Sequence, residues 1–129
     1  MSRSFVLLLG LALSACASTR SEAPTRLAEG TWTGTLTPMN HPDQNTPMRY
    51  RVAYLEEDLS IEMDWPGGDA LPARDAELQE GMLTFGLIEP EGNASLQCNL
   101  ARQPDGSFDG RCADAEGKWA RFTMLPPVE

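Results

Sequence analysis

The sequence predicts an all-β domain, an antiparallel up-and-down meander of about eight short strands that closes into a small barrel with one cross-strand disulfide. Apolar and polar residues alternate with a period of two, as in half-buried strands, and almost no segment has a helical period. Turn-forming residues separate most of these segments at short intervals. Closure of the meander removes the sheet edges that would otherwise pair with other chains.

The first residues of the chain are typical of an export signal. Arg3 supplies a positive charge, and an apolar run covers residues 5–13. A membrane-spanning helix needs about 20 apolar residues, so residues 1–15 are predicted to be a signal peptide. The four residues Leu13-Ser14-Ala15-Cys16 resemble the lipobox of bacterial lipoproteins.

This resemblance implies a lipid-anchored protein of the cell envelope. In bacterial lipoproteins a diacylglyceryl group is added to the cysteine sulfur and the chain is cut just before it, so Cys16 would begin the mature protein. The next residue is Ala17 and not Asp, which implies the periplasmic face of the outer membrane. The alternative is a soluble secreted protein in which this cysteine occurs by chance.

The rest of the chain is predicted to form one domain between two polar segments. Residues 16–29 contain the lipidated cysteine and a polar stretch that is predicted to be a flexible tether. Residues 30–125 form the barrel, and residues 126–129 are a short tail.

The acidic charge limits the classes of partner. The formal net charge is −9, and loss of the signal peptide, which has one Arg and no acid, makes the chain more acidic. Nucleic acid is excluded because its binding depends on Lys and Arg at the phosphates. Electrostatic binding to anionic lipid headgroups is excluded for the same reason. A basic protein partner is compatible with this charge, and so is a simple solubilising role.

The first three strands follow from alternation. They are predicted at residues 31–37, 48–55 and 59–65. A turn at Glu57-Asp58 would pair Tyr54 with Ile61 and Val52 with Met63. The longest connection, residues 38–47, could lie over one mouth of the barrel. The inward faces are predicted to carry Trp32, Gly34, Leu36, Met48, Tyr50, Val52, Tyr54, Leu59, Ile61, Met63 and Trp65.

The remaining strands are separated by clear turn signals. They are predicted at residues 73–79, 82–88, 94–102, 107–112 and 118–124. The two-residue turn Glu80-Gly81 would set Leu78 against Leu83 and Ala76 against Phe85. Pro126-Pro127 ends the last strand.

A disulfide is predicted between Cys98 and Cys112. With Cys16 lipidated, these are the two cysteines left in an exported chain. A hairpin centred on Asp105, within the turn Gln103-Pro104-Asp105-Gly106-Ser107, pairs the two cysteines directly. The bond should stabilise the fold by about 3 kcal/mol. The same register sets Leu100 opposite Gly110 and Arg102 opposite Phe108.

Two features of the strand pattern resemble the lipocalin and calycin barrels. Gly30-Thr31-Trp32 opens the first strand, as the G-x-W motif does in that family, and Arg121 lies in the last strand. The resemblance implies binding of small hydrophobic molecules and a basic residue packed over Trp32. Alternation places Arg121 on the same face as Trp119 and not with Phe122. The domain is shorter than a typical lipocalin.

No catalytic residue, metal site or cofactor is predicted. His41 is the single histidine, and it lies in a Pro-rich loop near Asp43, where a solvated side chain is the ordinary outcome. No G-x-S-x-G, H-E-x-x-H or phosphate-binding glycine loop is present.

The predicted function is therefore that of a non-catalytic lipoprotein barrel that binds a small hydrophobic ligand or an envelope component. The expected contacts are Trp32, Tyr50, Tyr54 and Trp65, with residues 38–47 as a lid. The interior is expected to be mostly filled, with a shallow pocket at one mouth. The alternative is a protein-interaction module, such as an inhibitor of a secreted lysozyme or protease, or an accessory of an envelope assembly.

Overall fold

The structure, a computed structural model, describes residues 26–65, 68–88 and 95–128. The predicted signal peptide, Cys16 and most of the predicted tether lie outside these residues. The described part of the chain contains nine strands: β1 Gly30–Pro38, β2 Thr46–Leu55, β3 Asp58–Asp64, β4 Ala70–Pro72, β5 Arg74–Gln79, β6 Met82–Ile88, β7 Ser95–Arg102, β8 Phe108–Ala113 and β9 Trp119–Leu125.

The strands form one antiparallel sheet that curls into a nearly closed barrel. Their order is β4-β3-β2-β1-β9-β8-β7-β6-β5, so the first and last long strands pair with each other. The edge strands β4 and β5 meet at a seam, where the Ala73 amide donates a hydrogen bond of 2.8 Å to the Ile61 carbonyl. The predicted all-β meander is confirmed, with β4 as an additional short strand.

Alternation along the strands fills the interior with apolar side chains. Each long strand contributes residues of one face, and the opposite face carries Thr, Arg, Asp and Asn. The buried apolar residues are Leu27, Trp32, Met48, Tyr50, Val52, Ile61, Met63, Leu83, Phe85, Leu87, Cys98, Leu100, Phe108, Cys112, Phe122 and Met124.

Two glycines allow the sheet to curl. A Cβ at Gly34 would lie 1.8 Å from the carbonyl oxygen of Thr123, and one at Gly110 would lie 2.0 Å from that of Asn99. Real Cβ atoms do not approach backbone this closely, so these strands pack as they do only because a side chain is missing. Glycine commonly marks such bends in barrels.

The predicted disulfide hairpin is confirmed in its register. Cys98 is bonded to Cys112, and Leu100 is paired with Gly110. Arg102 is paired with Phe108, also as predicted.

The predicted register of β2 with β3 is wrong by two residues. Tyr54 lies opposite Leu59, and Val52 lies opposite Ile61. The turn lies at Glu56-Glu57 because Glu56 adopts a left-handed φ of 62°, a conformation that is uncommon for glutamate.

The predicted register of β5 with β6 is right only next to the turn. Leu78 lies opposite Leu83, as expected. The predicted pairing of Ala76 with Phe85 is wrong because an irregularity between Arg74 and Glu77 shifts the register.

The barrel has two ends, which we name the tether end and the mouth. At the tether end β1 begins at Gly30 and β9 ends at Leu125. At the mouth β1 ends at Pro38 and β9 begins at Trp119. The folded unit begins before the predicted boundary at residue 30, because Leu27 is buried in the core at the tether end.

Candidate functional site

An apolar cleft of about 420 Å³ opens at the mouth. This volume lies within the range of about 300–1,000 Å³ that is usual for small-molecule sites. The cleft is lined by Leu36, Pro38, Trp65, Leu96, Cys112, Asp114, Lys118, Trp119, Ala120 and Phe122.

The ends of several strands build the walls and floor of this cleft. Leu36 comes from the end of β1, Trp65 follows β3, and Leu96 comes from the start of β7. Their side chains are half-buried and pack against the core. The floor is formed by Cys112 and Phe122, which are buried. The disulfide therefore lies directly beneath the cleft.

Trp119 forms one rim of the cleft and contacts two residues, Arg111 and Met39. The Arg111 guanidinium lies 5.0 Å from the centre of its ring. The Trp119 carbonyl accepts a hydrogen bond of 3.1 Å from the Met39 amide, and the Trp119 amide lies 3.3 Å from the Met39 sulfur. These contacts hold the start of β9 against the loop that follows β1.

Lys118 and Asp114 supply the polar part of the rim. The Asp114 carboxylate accepts hydrogen bonds of 2.9 Å from the amides of Glu116 and Lys118, which fixes the turn between β8 and β9. Lys118 extends into solvent, with its ammonium 3.9 Å from the Glu116 carboxylate. The rim of the cleft therefore carries one cation, Lys118, and one carboxylate, Asp114.

The predicted lid contributes little to the cleft. Strands β1 and β2 extend further than expected, so that the connection is reduced to residues 39–45. Those residues are exposed, and only Pro38 of the predicted segment lines the cleft. The side chains of Thr37 and Asn45 are hydrogen-bonded to each other at the base of this connection.

The tether end, by contrast, is plugged by the segment that precedes β1. Leu27 is 4% exposed, and its amide donates a hydrogen bond of 2.9 Å to the Tyr54 hydroxyl. The Arg26 guanidinium lies 3.8 Å from the centre of the Tyr54 ring. The Trp32 indole N–H donates to the Ala28 carbonyl at 2.9 Å.

The four predicted ligand contacts do not form one site. Trp32 is 2% exposed and Tyr50 is fully buried, so both belong to the core. The Tyr50 hydroxyl donates a hydrogen bond of 3.1 Å to the Thr123 carbonyl, and burial raises the pKa of this hydroxyl. Tyr54 lies at the tether end, and Trp65 alone of the four lines the mouth cleft.

The cleft residues that sequence reasoning missed share a simple property. Leu36, Leu96 and Ala120 are inward-facing residues close to strand ends, and all three ends meet at the mouth. Alternation identifies the inward face, but it does not say how deep along the barrel axis a residue lies. The strand-end position is the signal that could have identified them.

Arg121 does not take the position that the lipocalin resemblance implies. It lies on the outer face, where its Nε donates a hydrogen bond of 2.9 Å to Asp109. This contact holds the pKa of the Asp109 carboxyl below its usual range. The neighbour of Trp32 is instead Phe108, with ring centres 5.9 Å apart. The Arg102 guanidinium lies 5.7 Å from the Phe108 ring.

The described residues contain no cluster of three or more His, Cys, Asp or Glu side chains that could hold a metal ion. His41 is exposed in the loop between β1 and β2. Within the same ranges, no helix is both long enough and apolar enough to span a membrane.

Comparison with known proteins gives a fold but no family. No family model matches the sequence, and no curated protein matches it. A redesigned β-barrel, b11L5F_LGL, superposes with a TM-score of 0.57 at 15% identity, over 78% of this chain and 91% of that one.

A second solved structure is similar to the same extent. It is the redesigned β-barrel mFAP1 bound to DFHBI, with a TM-score of 0.56 at 18% identity, over 75% of this chain and 93% of that one. At these identities the likeness is one of fold alone. The chain is thus a small antiparallel β-barrel.

Proposed function

We propose that the protein is a lipid-anchored barrel of the bacterial envelope that binds a small hydrophobic molecule in its mouth cleft and catalyses no reaction. The observation that carries this proposal is the contrast between a filled interior and an apolar cleft of about 420 Å³ at one end. Half-buried aromatic and aliphatic side chains at a barrel mouth are what an apolar ligand requires.

The lining favours an amphiphilic ligand. Leu36, Trp65 and Leu96 would contact an apolar body such as an acyl chain or a flat ring. The Lys118 ammonium at the rim would face a polar or anionic head group. One barrel of the same fold, mFAP1, is bound to the small molecule DFHBI, and this supports the capacity of such a fold to hold a ligand.

The three tryptophans provide a direct test, because Trp65 and Trp119 line the cleft and Trp32 is buried at the tether end. The Cys16→Ser mature chain would be titrated with a fatty acid, the matching fatty alcohol and a phospholipid. We expect a change in tryptophan emission that persists in Trp32→Phe and disappears in the double variant Trp65→Phe/Trp119→Phe.

Native mass spectrometry of the same chain, purified without detergent, is the second readout. A discrete adduct of lipid-like mass supports the pocket and identifies the ligand class. A bare mass together with an unchanged emission across the panel would contradict the proposal.

The proposed anchor has a separate test. The lipobox resemblance at residues 13–16 is its support. Expression of the full chain in bacteria should place the protein in the membrane fraction, with palmitate incorporated, and Cys16→Ser should remove both properties. Retention of the Cys16→Ser protein in the membrane fraction would contradict the anchor.

A further inference from the structure

A groove of about 550 Å³ lies along the seam of the barrel, at the tether end. One side is formed by residues 57–59, at the start of β3, and the other by residues 75–79 of β5. We propose that this seam groove binds an extended basic peptide segment of another protein, which adds as a strand between β3 and β5. The proposal concerns a surface separate from the mouth cleft and does not depend on ligand binding there.

The first support is that both strands have unpaired edges at the groove. Within the described residues β5 pairs with β6 and with no other strand. Strand β4 covers β3 only from Glu62 to Asp64. Two free strand edges that face each other are the feature that strand addition uses.

The second support is the direction of the backbone groups. Two residue pairs flank two-residue turns, Leu55 with Asp58 and Gln79 with Met82. The two residues of such a pair are hydrogen-bonded to each other. By alternation the next residues, Leu59 and Leu78, direct their N–H and C=O groups away from those partners and toward the groove. The Ile61 carbonyl, two residues beyond Leu59, does accept from Ala73 across the seam, which agrees with this alternation.

The third support is charge. The groove is lined by Glu57, Asp58, Asp75 and Glu77 and by no Lys or Arg. Within the described residues none of these four carboxylates takes part in an ion pair. Other strand carboxylates are paired, as Asp109 is with Arg121. Four unneutralised acids along one groove favour a cationic occupant.

The side-chain pattern of the occupant follows from the groove. Leu59, Ala76 and Leu78 are half-buried and form an apolar floor. The exposed acids Asp58 and Glu77 stand on the outer side. Because side chains of a strand alternate between faces, the fitting segment has small apolar residues that alternate with Lys or Arg. A second copy of this chain is disfavoured, since its own seam would bring the same carboxylates into contact with these.

The test uses the mature Cys16→Ser chain and a capped six-residue peptide in which Lys and Val alternate. Amide exchange and chemical shifts would be followed by NMR. We expect the exchange of the Leu59 and Leu78 amides to slow at least tenfold when the peptide binds. The same peptide with Glu in place of Lys, or with an N-methylated backbone, should not produce this protection.

Charge reversal in the groove gives the matched comparison. Asp58→Lys/Glu77→Lys should weaken binding of the Lys peptide at least tenfold. Asp43→Lys/Glu116→Lys makes the same change in net charge at exposed mouth positions and should leave binding within about twofold, which corresponds to about 0.4 kcal/mol. Unfolding midpoints of both variants would show that each is folded.

Several outcomes would overturn the proposal. These are equal binding of the Glu peptide, equal binding by the two charge-reversed variants, or no protection at Leu59 and Leu78. Protection of those two amides before any peptide is added would assign the groove to the chain's own N-terminal segment. A dimer in sedimentation that disappears in Asp58→Lys/Glu77→Lys would assign it to a second copy.

Discussion

The two ends of this barrel use the same kinds of residue for different purposes. At the tether end Trp32, Phe108 and Leu27 pack together and are almost completely buried. At the mouth Trp65, Leu36 and Leu96 remain half-buried around a cleft of about 420 Å³. Both sets are large, apolar and inward-facing, so residue type does not distinguish a filled end from an open one.

The difference arises from what covers each end. A segment outside the strands, residues 26–29, folds back over the tether end and contributes Leu27 and a hydrogen bond to Tyr54. At the mouth, the loop at residues 39–45 lies beside β9 and none of its residues lines the cleft. A short connecting segment can therefore decide whether a barrel end becomes core or binding surface.

The largest expected effect comes from a substitution that destabilises the whole barrel, and therefore both of its ends. Gly110→Ala places a Cβ 2.0 Å from the Asn99 carbonyl oxygen and 2.6 Å from the Leu100 Cα. The β7 backbone cannot move aside as a flexible side chain can. We therefore expect a loss of more than about 3 kcal/mol of unfolding free energy. Urea unfolding measures it. Gly68→Ala, where a Cβ meets nothing within 4 Å, is the control, and equal behaviour of the two variants would refute the role of Gly110.

Removal of one tryptophan from each end tests the comparison directly. Trp32→Ala should cost about 3–5 kcal/mol, as for other buried aromatic residues. Trp65→Ala removes a half-buried side chain and should cost much less, while it reduces the emission response to ligand. Thermal unfolding and the ligand titration measure these two effects. Equal destabilisation by the two variants would show that the ends do not differ.

Leu27→Ala tests whether the plug belongs to the core. The side chain is 4% exposed, and a buried Leu→Ala change costs about 2–5 kcal/mol. Leu55→Ala is the matched control because Leu55, also at the tether end, is 67% exposed, and it should cost less than about 0.5 kcal/mol. Unfolding in urea gives both values. A negligible loss of unfolding free energy for Leu27→Ala would show that residues 26–29 belong to the tether and not to the core.

The smallest effect concerns the wall between the two ends. Arg121 lowers the pKa of Asp109 in the folded state, so the pair stabilises the fold above the ordinary Asp pKa. This stability is lost as the pH falls through the lowered pKa. Both side chains are partly exposed, so we expect at most about 1 kcal/mol. Unfolding of Asp109→Asn should be less sensitive to pH between about 5 and 2 than that of the parent chain. If the stability of Asp109→Asn fell with pH as steeply as that of the parent chain, the Asp109–Arg121 pair would not stabilise the fold.

The sequence allowed prediction of those features that local signals define. The Asp105 hairpin was predictable in register because a Pro-Asp-Gly turn, strict alternation and a cysteine pair all agree. The register of β2 with β3 was not, because Glu56-Glu57-Asp58 contains no glycine to mark the residue with positive φ. Strand β4 escaped prediction because three residues that end in proline give no alternation.

The site was less predictable than the fold because it depends on contacts between distant segments. Leu27 lies in a polar stretch that predicts a tether, although Tyr54 and the core hold it. Alternation correctly places Trp32 and Tyr50 on the inward face, but it does not separate residues of the filled interior from residues that line the cleft. Trp65 lies at the mouth only because β3 ends one residue before it.

The packing of Leu27 would also limit the distance between the barrel and a membrane if the predicted anchor were present. If Cys16 carries the anchor, residues 17–25 are the only link to the plugged end, and nine residues reach at most about 30 Å when fully extended. In that case the anchor would join the barrel at its plugged end, and the mouth would lie at the opposite end of the barrel from that link.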